Sequence, residues 1–582
     1  MVAGESETSQ GFGGVTDPGV LAQISELSAS VGVSHTAATL LVHKGLHQPA
    51  AARDFLKPRL SHLTSPDSMA DRGTATDRIV QAIRKGERIC VFGDYDCDGI
   101  TSAAIMTHAL RALGASVSVQ LANRFEGGYG VSASAVARIQ GQRPSLLVTC
   151  DCGSSDAESL RVLAQSSIET IVIDHHLVPS EPLPAVAFLN PRRPDCGFAY
   201  KNLASCGLAL SVVAALRTQL KASLDLHAYL DLVAIGTVAD VAPLDGDNRI
   251  MVRAGLERMA SSARPGLRML FERARIESGA RVTGEDIAFR IAPRLNAPGR
   301  MAAPDLALEL LLAEDEKEAE RLADEVEPLQ KQRRHAQANM FEEACQDIEA
   351  NGWHHDHAIV VGRETWSTGI VGILAGKLTE HYGLPVIAIA LEGQIGRGSV
   401  RAPKGVPLYD SLSQIADCLL RFGGHQAAAG LDVHKDQVPT LRERFSAVCL
   451  THSAHEQQQR ADAMSGVTEL DERDDVLQVA RDLTQFEPCG EGNRQPRLLV
   501  QGKLLAARAV RGGHLQIELL TARGQTLRAF GLGLGEQADS LPSELGIVGA
   551  LRLACFRSVE RAELRIEQLL TDGISTNMQR LR

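Results

Sequence analysis

The stretch Arg88-Ile89-Cys90-Val91-Phe92-Gly93-Asp94-Tyr95-Asp96-Cys97-Asp98-Gly99 decides the fold. Arg88 to Phe92 reads as a buried strand, followed by Gly93 and a loop of acids. Beyond the loop, Thr101 to Leu113 reads as a helix. Further out come strand Val117–Leu121, strand Leu146–Thr149, a helix near Asp156–Gln165 and strand Thr170–Ile173. Strands alternating with helices require crossover connections and a parallel sheet. The fold class is therefore α/β, with this parallel-sheet domain placed at residues 81–303.

The rest of the chain divides around that centre, with no internal repeat. Residues 1–24 read as a flexible tail, and 25–80 as an N-terminal segment of short helices that includes an apolar-periodic stretch from Ala37 to Leu46. Residues 304–350 form a long, charged helical arm, solvated between two domains. Leu306, Leu310, Leu311, Leu322, Val326 and Leu329 give it an apolar stripe, and Pro328 predicts a kink or a split. A second α/β unit occupies 351–453: strand Ala358–Val361, helix Gly369–Glu380, strand Val386–Ala390 and a helix near Leu408–Leu420. Ala454 to Asp475 starts polar and Gln-rich and is a candidate linker. In the last part, 460–582, short alternating strands with Gly breaks (Leu498–Val500, Leu515–Leu519, Leu527–Leu532) predict a small β-barrel.

The 582 residues are 44% hydrophobic and 23% charged, a globular balance that excludes wholesale disorder. There is no run of apolar residues long enough to span a membrane, and the polar, Gly-rich stretch Met1 to Gly14 does not read as a secretory signal, so the expected compartment is the cytoplasm. Sixty Lys and Arg against 71 Asp and Glu give a net charge of −11. A chain of that sign does not hold nucleic acid by bulk attraction; it needs a local basic channel or metal ions. From Phe486 onward there are 13 basic and 10 acidic residues, a tilt that nucleic-acid contact and solvated surface charge explain equally well. The eleven cysteines, odd in number and scattered, read as reduced thiols.

In open parallel sheets, ligands bind beyond the carboxyl ends of the strands. Here the first strand runs into Asp94, Asp96 and Asp98; Leu146–Thr149 into Cys150-Asp151-Cys152-Gly153; Thr170–Ile173 into Asp174-His175-His176; and the apolar run Leu232–Val238 into Ala239-Asp240. If the extended path continues past Gly93, the period of two sets Asp94 and Asp96 on one side. A single Asp after a strand is usually a helix N-cap, which does not account for four such runs together. Carboxylates buried together need a counter-charge. Carboxylates with an imidazole and no thiolate suit Mn2+ or Mg2+. Two ions about 3.5–4 Å apart, bridged by one carboxylate, would activate a water and stabilise the leaving oxygen of a phosphoryl group. Cys90, Cys97, Cys150 and Cys152 read as small buried residues beside the sheet.

Asp174-His175-His176, with Gly93-Asp94-Tyr95-Asp96-Cys97-Asp98-Gly99 before it and Gly236-Thr237-Val238-Ala239-Asp240 after it, resembles the DHH phosphoesterase superfamily. Within that superfamily the chain is similar to the bacterial RecJ family of single-strand-specific 5′→3′ DNA exonucleases. Asn123-Arg124-Phe125-Glu126-Gly127-Gly128-Tyr129-Gly130, Pro293-Arg294-Leu295-Asn296-Ala297-Pro298-Gly299-Arg300, Gly423-Gly424-His425 and Glu487-Pro488-Cys489-Gly490-Glu491-Gly492-Asn493 extend the likeness from about Phe55 to the β domain. The resemblance implies Asp94, Asp96, Asp151, His175 and Asp240 as metal ligands, with Asp151 bridging, and Mn2+ or Mg2+ as cofactor. It implies catalytic roles for His176, against the scissile phosphate or in proton transfer, and for Asp98. It implies DNA contacts at Arg124, Arg300, Ser399, Arg401, Gly424 and His425; guanidinium forks suit phosphates because they bind two oxygens at once. It makes 351–453 a DHH-associated substrate-binding domain and the β-barrel OB-like, a common single-strand platform. The implied activity releases 5′-mononucleotides in DNA repair and recombination, from a monomer whose partners are single-stranded DNA, a single-strand-binding protein and a helicase.

The sequence departs from the family pattern at three places. Ser367 follows Trp366 where relatives have histidine, Cys90 stands where a second-metal histidine is frequent, and Phe92 replaces histidine in some relatives. Lower activity or an altered metal preference is the corresponding expectation. Two alternatives stand beside the exonuclease reading. One is a phosphoesterase of the same superfamily acting on short oligonucleotides, cyclic dinucleotides or pyrophosphate; the other is a non-catalytic or low-activity DNA-binding relative. Tyr129 and Trp366 are candidates for base stacking, with ordinary packing as the other reading.

Overall fold

The computed structural model describes residues 17–262, 264–277, 279, 281–403, 405–424, 428–450, 466–556 and 559–570. His425, the first part of the expected tail and most of the candidate linker lie outside the described residues. The chain forms two compact units. One gathers the described residues of Met1–Leu63, Pro243–Arg253 and Arg460–Arg582; the other those of Thr64–Ala242 and Ala254–Gln459.

The expected tail ends early. Helix α1 (Pro18–Val31) begins where Asp17 accepts from Gly19 N and Val20 N and Pro18 supplies its preset φ. With α2 (His35–His43) and α3 (Pro49–Leu56), it buries Ile24, Leu27, Leu41 and Leu56 in one core with barrel residues Leu498, Ile517, Leu545 and Leu564. The expected helical segment 25–80 is therefore shared out, since α4 (Arg72–Lys85) lies in the second unit. The apolar face of a short helix shows in its sequence; the surface it packs on does not.

In the second unit, β1 (Arg88–Gly93), α5 (Cys97–Ala112), β2 (Ser116–Leu121), α6 (Ala133–Gln142), β3 (Leu146–Cys150), α7 (Ala157–Gln165), β4 (Glu169–Ile173) and β5 (Ala187–Leu189) follow in order. The strands form an all-parallel sheet in the order β2-β1-β3-β4-β5. Because β2 lies on one side of β1 and β3 on the other, the topological switch falls between β1 and β3, where a ligand crevice is expected. Then come α8 (Ser205–Leu220), α9 (Leu230–Ala239), α10 (Gly246–Ser262, whose residues up to Arg253 count with the first unit), α11 (Pro265–Arg273), α12 (Gly284–Asp286), a π-helical turn (Ile287–Ile291), α13 (Ala292–Met301) and α14 (Asp305–Leu312). The run before Asp240 is thus a helix and not a strand-like element. Leu230 through Thr237 are all buried, and a run that is apolar on every side has no period to distinguish the two.

The expected arm, 304–350, is two helices, α14 and the 35-residue α15 (Glu316–Ala350); the break falls between Leu312 and Glu316, while Pro328 lies inside α15 without splitting it. It is not merely solvated. Ala319, Leu322, Ala323 and Val326 are buried along its first half, and Met340, Ala344 and Ile348 belong to the core of the following domain. That domain contains β6 (Ile359–Arg363), α16 (Val371–Tyr382), β7 (Val386–Glu392), β8 (Ile395–Arg401), α17 (Leu408–Ser413), β9 (Arg421–Gly424), β10 (Ala428–His434) and α18 (Val438–Leu450). Its sheet order is β6-β7-β8-β10-β9, parallel only between β6 and β7. Helix α17 stops at Ser413, short of the expected Leu420.

The first unit is completed by β11 (Val467–Glu469), α19 (Val476–Leu483), β12 (Arg497–Val510), β13 (His514–Thr521), β14 (Thr526–Gly531), β15 (Glu544–Phe556) and β16 (Val559–Leu570). The order β11-β12-β13-β14-β16-β15, with β12 also pairing β15, closes a barrel. All eleven cysteines are free thiols. No helix among the described residues is long and apolar enough to cross a membrane.

Candidate metal centre and substrate cleft

Three acids extend the sheet by one residue beyond its strands. Asp94 N donates to Cys150 O at 3.2 Å, Asp151 N to Ile173 O at 2.9 Å and Asp174 N to Leu189 O at 3.0 Å. Their side chains therefore gather at the switch point. A left-handed turn at Asp151 (φ 64) redirects the chain there. Asp96 does not continue the strand. It is the N-cap of α5, accepting at Oδ1 from Asp98 N (3.0 Å) and Gly99 N (3.1 Å). The first turn of α5 lies so close over β1 that a Cβ on Gly99 would be 2.6 Å from Asp94 N.

His175 is the hub. Its Nε2 lies 3.3 Å from Asp151 Oδ1, 3.6 Å from Asp240 Oδ2 and 4.0 Å from Asp98 Oδ2. Asp151, His175 and His176 form one group of converging ligand atoms, and Asp98, His175 and Asp240 a second. Asp94 and Asp96 are in neither group, although the charge of Asp96 acts on Asp94, Asp98, Asp151 and Asp240. Burial, then neighbouring carboxylates, hold Asp94, Asp151 and Asp240 well above the usual carboxylate range. Asp98 is pushed up to about 6, by burial against the opposing pull of the Cys206 and Ser205 contacts. Oxygens and imidazole nitrogens converging under mutual repulsion, with no thiolate among them, fit a hard divalent cation. Cys90, Cys97, Cys150 and Cys152 are buried in the packing.

Both oxygens of Asp98 are engaged: Oδ2 accepts from Ser205 N (2.8 Å) and Oδ1 from Cys206 N (2.9 Å). It thus satisfies the first amides of α8, which has no side-chain cap of its own. Ser205 Oγ donates to Asp151 Oδ1 at 3.0 Å. His176 Nδ1 lies 2.7 Å from Asp174 Oδ1 and 3.0 Å from Tyr129 Oη. The carboxylate only accepts, so Nδ1 carries the proton. Burial opposes charge on His176, but the Asp174 hydrogen bond and charge outweigh it and push the ring up to about 9 in the absence of a cation. Asp174 is held below the usual range; burial works against this, and His176 prevails. Asp174 and Asn190, whose Nδ2 donates to His176 O at 2.8 Å, were not foreseen as site residues, and Tyr129, expected as a base-stacking candidate, is found against His176. Asp174 could have been chosen from its place beside the two histidines. Asn190 lies in an ordinary Leu-Asn-Pro stretch without a signal.

A cleft of about 610 Å³ lies beside Tyr129, between the parallel-sheet domain and the β6–β10 domain. Tyr95, Arg124 and Arg300 line one side; Ser399, Arg401 and Gly423 line the other. Arg124 stacks on Tyr95 at 4.2 Å, Arg300 Nη1 donates to Gly369 O at 3.1 Å, and Arg401 Nη1 donates to Ser399 Oγ at 3.0 Å. None of these three arginines forms an ion pair with an acid among the described residues. Burial, with the charges of Arg124 and Arg333, brings Arg300 down to about 10. Cations held this way are short of counter-charge and suit an anion. Arg397 and Arg421 also line the cleft and were not foreseen. Gly424 ends β9 beside it. Trp366 is only 4% exposed, packs in the core with Ile370 and Leu374, and donates to Glu343 Oε2, so base stacking is excluded for it.

Residues 88–237 match the family described as DHH family, N-terminal domain; 355–450 match the DHHA1 domain and 468–568 the RecJ OB domain. Fold and site thus define a DHH-type protein with its associated DHHA1 domain. The chain is 33% identical to the single-stranded-DNA-specific exonuclease RecJ of Bacillus subtilis over 94% of its own length and 69% of that protein's. It is 33% identical to the protein of the same name from Escherichia coli over 85% of this chain and 89% of that one. It superposes on the crystal structure of RecJ in complex with Mn2+ from Thermus thermophilus with a TM-score of 0.78, at 30% identity, covering 95% of this chain and 78% of that one. The chain belongs to the RecJ family.

Proposed function

We propose that this protein is a divalent-metal-dependent exonuclease that degrades single-stranded DNA from the 5′ end to 5′-mononucleotides. The observation that carries the reading is the convergence of Asp151, Asp240 and Asp98 on His175 beside an arginine-lined cleft. Mn2+ or Mg2+ would be held by Asp151, His175 and Asp240, with Asp94 and Asp96 completing the acidic shell. Bound there, the cation supplies Lewis-acid chemistry, drawing charge from a phosphoryl oxygen and making a water more acidic. Relatives crystallised with Mn2+ and with Mg2+ support the choice.

The chain's own residues do the rest. Asp174 holds a proton at His176 Nδ1 and aims the ring; His176 then faces the phosphate as a hydrogen-bond donor and proton source for the departing 3′-oxygen. Asp98 acts by position, fixing α8 and through Ser205 the carboxylate of Asp151, and not by transferring a proton. Arg124, Arg300 and Arg401 bind backbone phosphates, Ser399 orients Arg401, and Gly424 borders the strand; His425, outside the described residues, is a proposed DNA contact through its sequence motif alone. Single-strand selectivity follows from a narrow cleft and not from base reading. A monomer acting in the cytoplasm in DNA repair and recombination, with a single-strand-binding protein and a helicase as partners, belongs to the same proposal. The test is digestion of 5′- and 3′-labelled single strands and duplexes with and without Mn2+. Early release of the 5′ label from single strands only, and only with Mn2+, is expected; 3′-first release or equal cutting of duplex would overturn the reading.

A further inference from the structure

The carboxyl ends of the parallel strands form a row, and the sheet order β2-β1-β3-β4-β5 fixes what stands along it. At one edge β2 runs into Ala122-Asn123-Arg124. The acids and histidines of the metal centre follow β1, β3 and β4. At the other edge β5 runs into Asn190-Pro191-Arg192. With strands about 4.8 Å apart, the two edges are roughly 19 Å from each other. The cleft uses one side of this row. Its wall on the parallel-sheet domain includes Tyr95, Arg124, Gly128 and Tyr129, from the chain after β1 and β2, and none of its described lining residues is from the chain that directly follows β5.

The β5 end is tied to the metal centre and carries a cation that the fold leaves unused. Asn190 is fully buried; its Nδ2 donates to His176 O at 2.8 Å, and its Oδ1 accepts from Arg192 N at 2.9 Å. One amide side chain thus joins the backbone of Arg192 to the histidine pair. The two arginines of this turn then differ. Arg193 serves the fold: it pairs with Asp71 and Asp195 and donates to Phe188 O. Arg192 is exposed, and among the described residues its guanidinium has no hydrogen bond or ion pair. Its charge nevertheless acts on the Asp240 carboxylate, so it stands near enough to the metal centre to be felt there. A guanidinium held beside a phosphoryl site without an acid of its own suits a phosphate.

We propose that Arg192 binds the first phosphate on the 3′ side of the scissile one, so that the phosphate track crosses the carboxyl edge of the sheet from β2 to β5. The inference rests on the exonuclease reading and adds to it a contact downstream of the bond that is cut. An enzyme that removes mononucleotides has a single phosphate on the 5′ side of the scissile one, the end of the strand. A terminal phosphate carries about −1.5 to −2, more than a diester, and the three arginines of the cleft match it. The rest of the strand then leaves on the opposite side of the metal centre, toward β5, where Arg192 stands. Gripped on both sides of the cut, the scissile diester is held between two fixed points.

The experiment follows the first cut in a 5′-phosphorylated thymidine dimer and trimer at saturating Mn2+, by the full chain and by its Arg192→Gln variant. The dimer has no phosphate beyond the scissile one; the trimer has one. Arg192 is exposed, so the substitution removes the fork and no core contact. The preference for trimer over dimer in kcat/KM is expected to fall about tenfold in Arg192→Gln, the loss of one charge-assisted contact, and mainly through KM. Arg192→Lys keeps the charge without the fork and is expected to keep part of the preference. A trimer whose last linkage is a neutral methylphosphonate is expected to lower wild-type kcat/KM by a similar factor and to make no further difference to Arg192→Gln. An unchanged trimer-to-dimer ratio in Arg192→Gln, or a methylphosphonate loss that persists undiminished in that variant, overturns the proposal and leaves the exonuclease reading standing. A guanidinium that acts only through the charge of Asp240 gives the first of these results, because it alters both substrates alike. A wild-type chain that does not release the 5′ nucleotide of the trimer overturns both readings. Where the trimer is cut and the dimer is not, the methylphosphonate comparison decides alone.

Discussion

Removing divalent cations should make the second unit less stable as pH rises, and the structure gives the size of one contribution. Asp98 is wholly buried, and its carboxyl is pushed from 3.8 up to about 6, with burial the largest cause. A folded-state acid with a raised pKa holds its proton more tightly than the unfolded chain does. Its stabilising effect is complete below the unfolded value and lost as pH climbs through the window from 3.8 to about 6. For Asp98 that loss is about 3 kcal/mol. Asp94, Asp151 and Asp240 are shifted in the same direction and extend the loss to higher pH. A cation binds the ionised carboxylates and restores what their repulsion removes, but gains little where they are protonated. Both tryptophans, Trp353 and Trp366, lie in the second unit, so their fluorescence follows its unfolding. The melting temperature should be measured with millimolar MnCl2 and with EDTA across the pH range. The gain from Mn2+ should be small near about pH 5 and reach about 5 °C or more near about pH 8. A gain that is independent of pH, or largest at the acid end, would refute the argument that mutual repulsion of these acids is what the cation relieves.

Asp151→Asn should abolish nuclease activity, by roughly a hundredfold or more, while leaving the far-ultraviolet circular dichroism unchanged, since it removes a charge at His175 Nε2 and not a core contact. Arg401→Gln should raise KM for single-stranded DNA by roughly tenfold, with a smaller change in kcat, and lower the salt dependence of binding by about one counterion. Ser367→His should raise turnover in Mn2+ severalfold by adding a donor beside Thr368 and Gly369 of the cleft; turnover equal to the parent chain would show that no substrate contact is missing there. Thiol titration of the native protein should report one fast group, the exposed Cys555, slower reaction of the half-buried Cys345 and Cys489, and the eight buried cysteines only on unfolding.

The parallel sheet was legible because its strands are short, largely apolar runs, several of them running into acids, and a strand buried on both faces needs no alternation to be seen. The acids were legible as a group for the same reason: each follows an apolar run. What the sequence could not express was path. Asp96 turns into the N-cap of α5 instead of staying in line with Asp94, and Asp98 spends both oxygens on α8. The run before Asp240 is a fully buried helix, which has no period to read. Pro328 was expected to kink or split the arm, and the split does not occur: α15 continues through it with apolar residues seated on both domains of its unit. Trp366 and Tyr129 looked alike in sequence; only the structure sends one into the core and sets the other on His176. The alliance of α1–α3 with the barrel joins residues more than 400 positions apart, such as Thr36 with Asp474 (|i−j| = 438), and no local pattern carries that.

The measurement that tests the central claim most directly is an anomalous-scattering map from crystals grown with Mn2+. The account predicts a manganese peak within coordination distance of His175 Nε2, Asp151 and Asp240, lost in Asp151→Asn. Manganese absent from that position, or bound elsewhere while these side chains remain as they are, would contradict it.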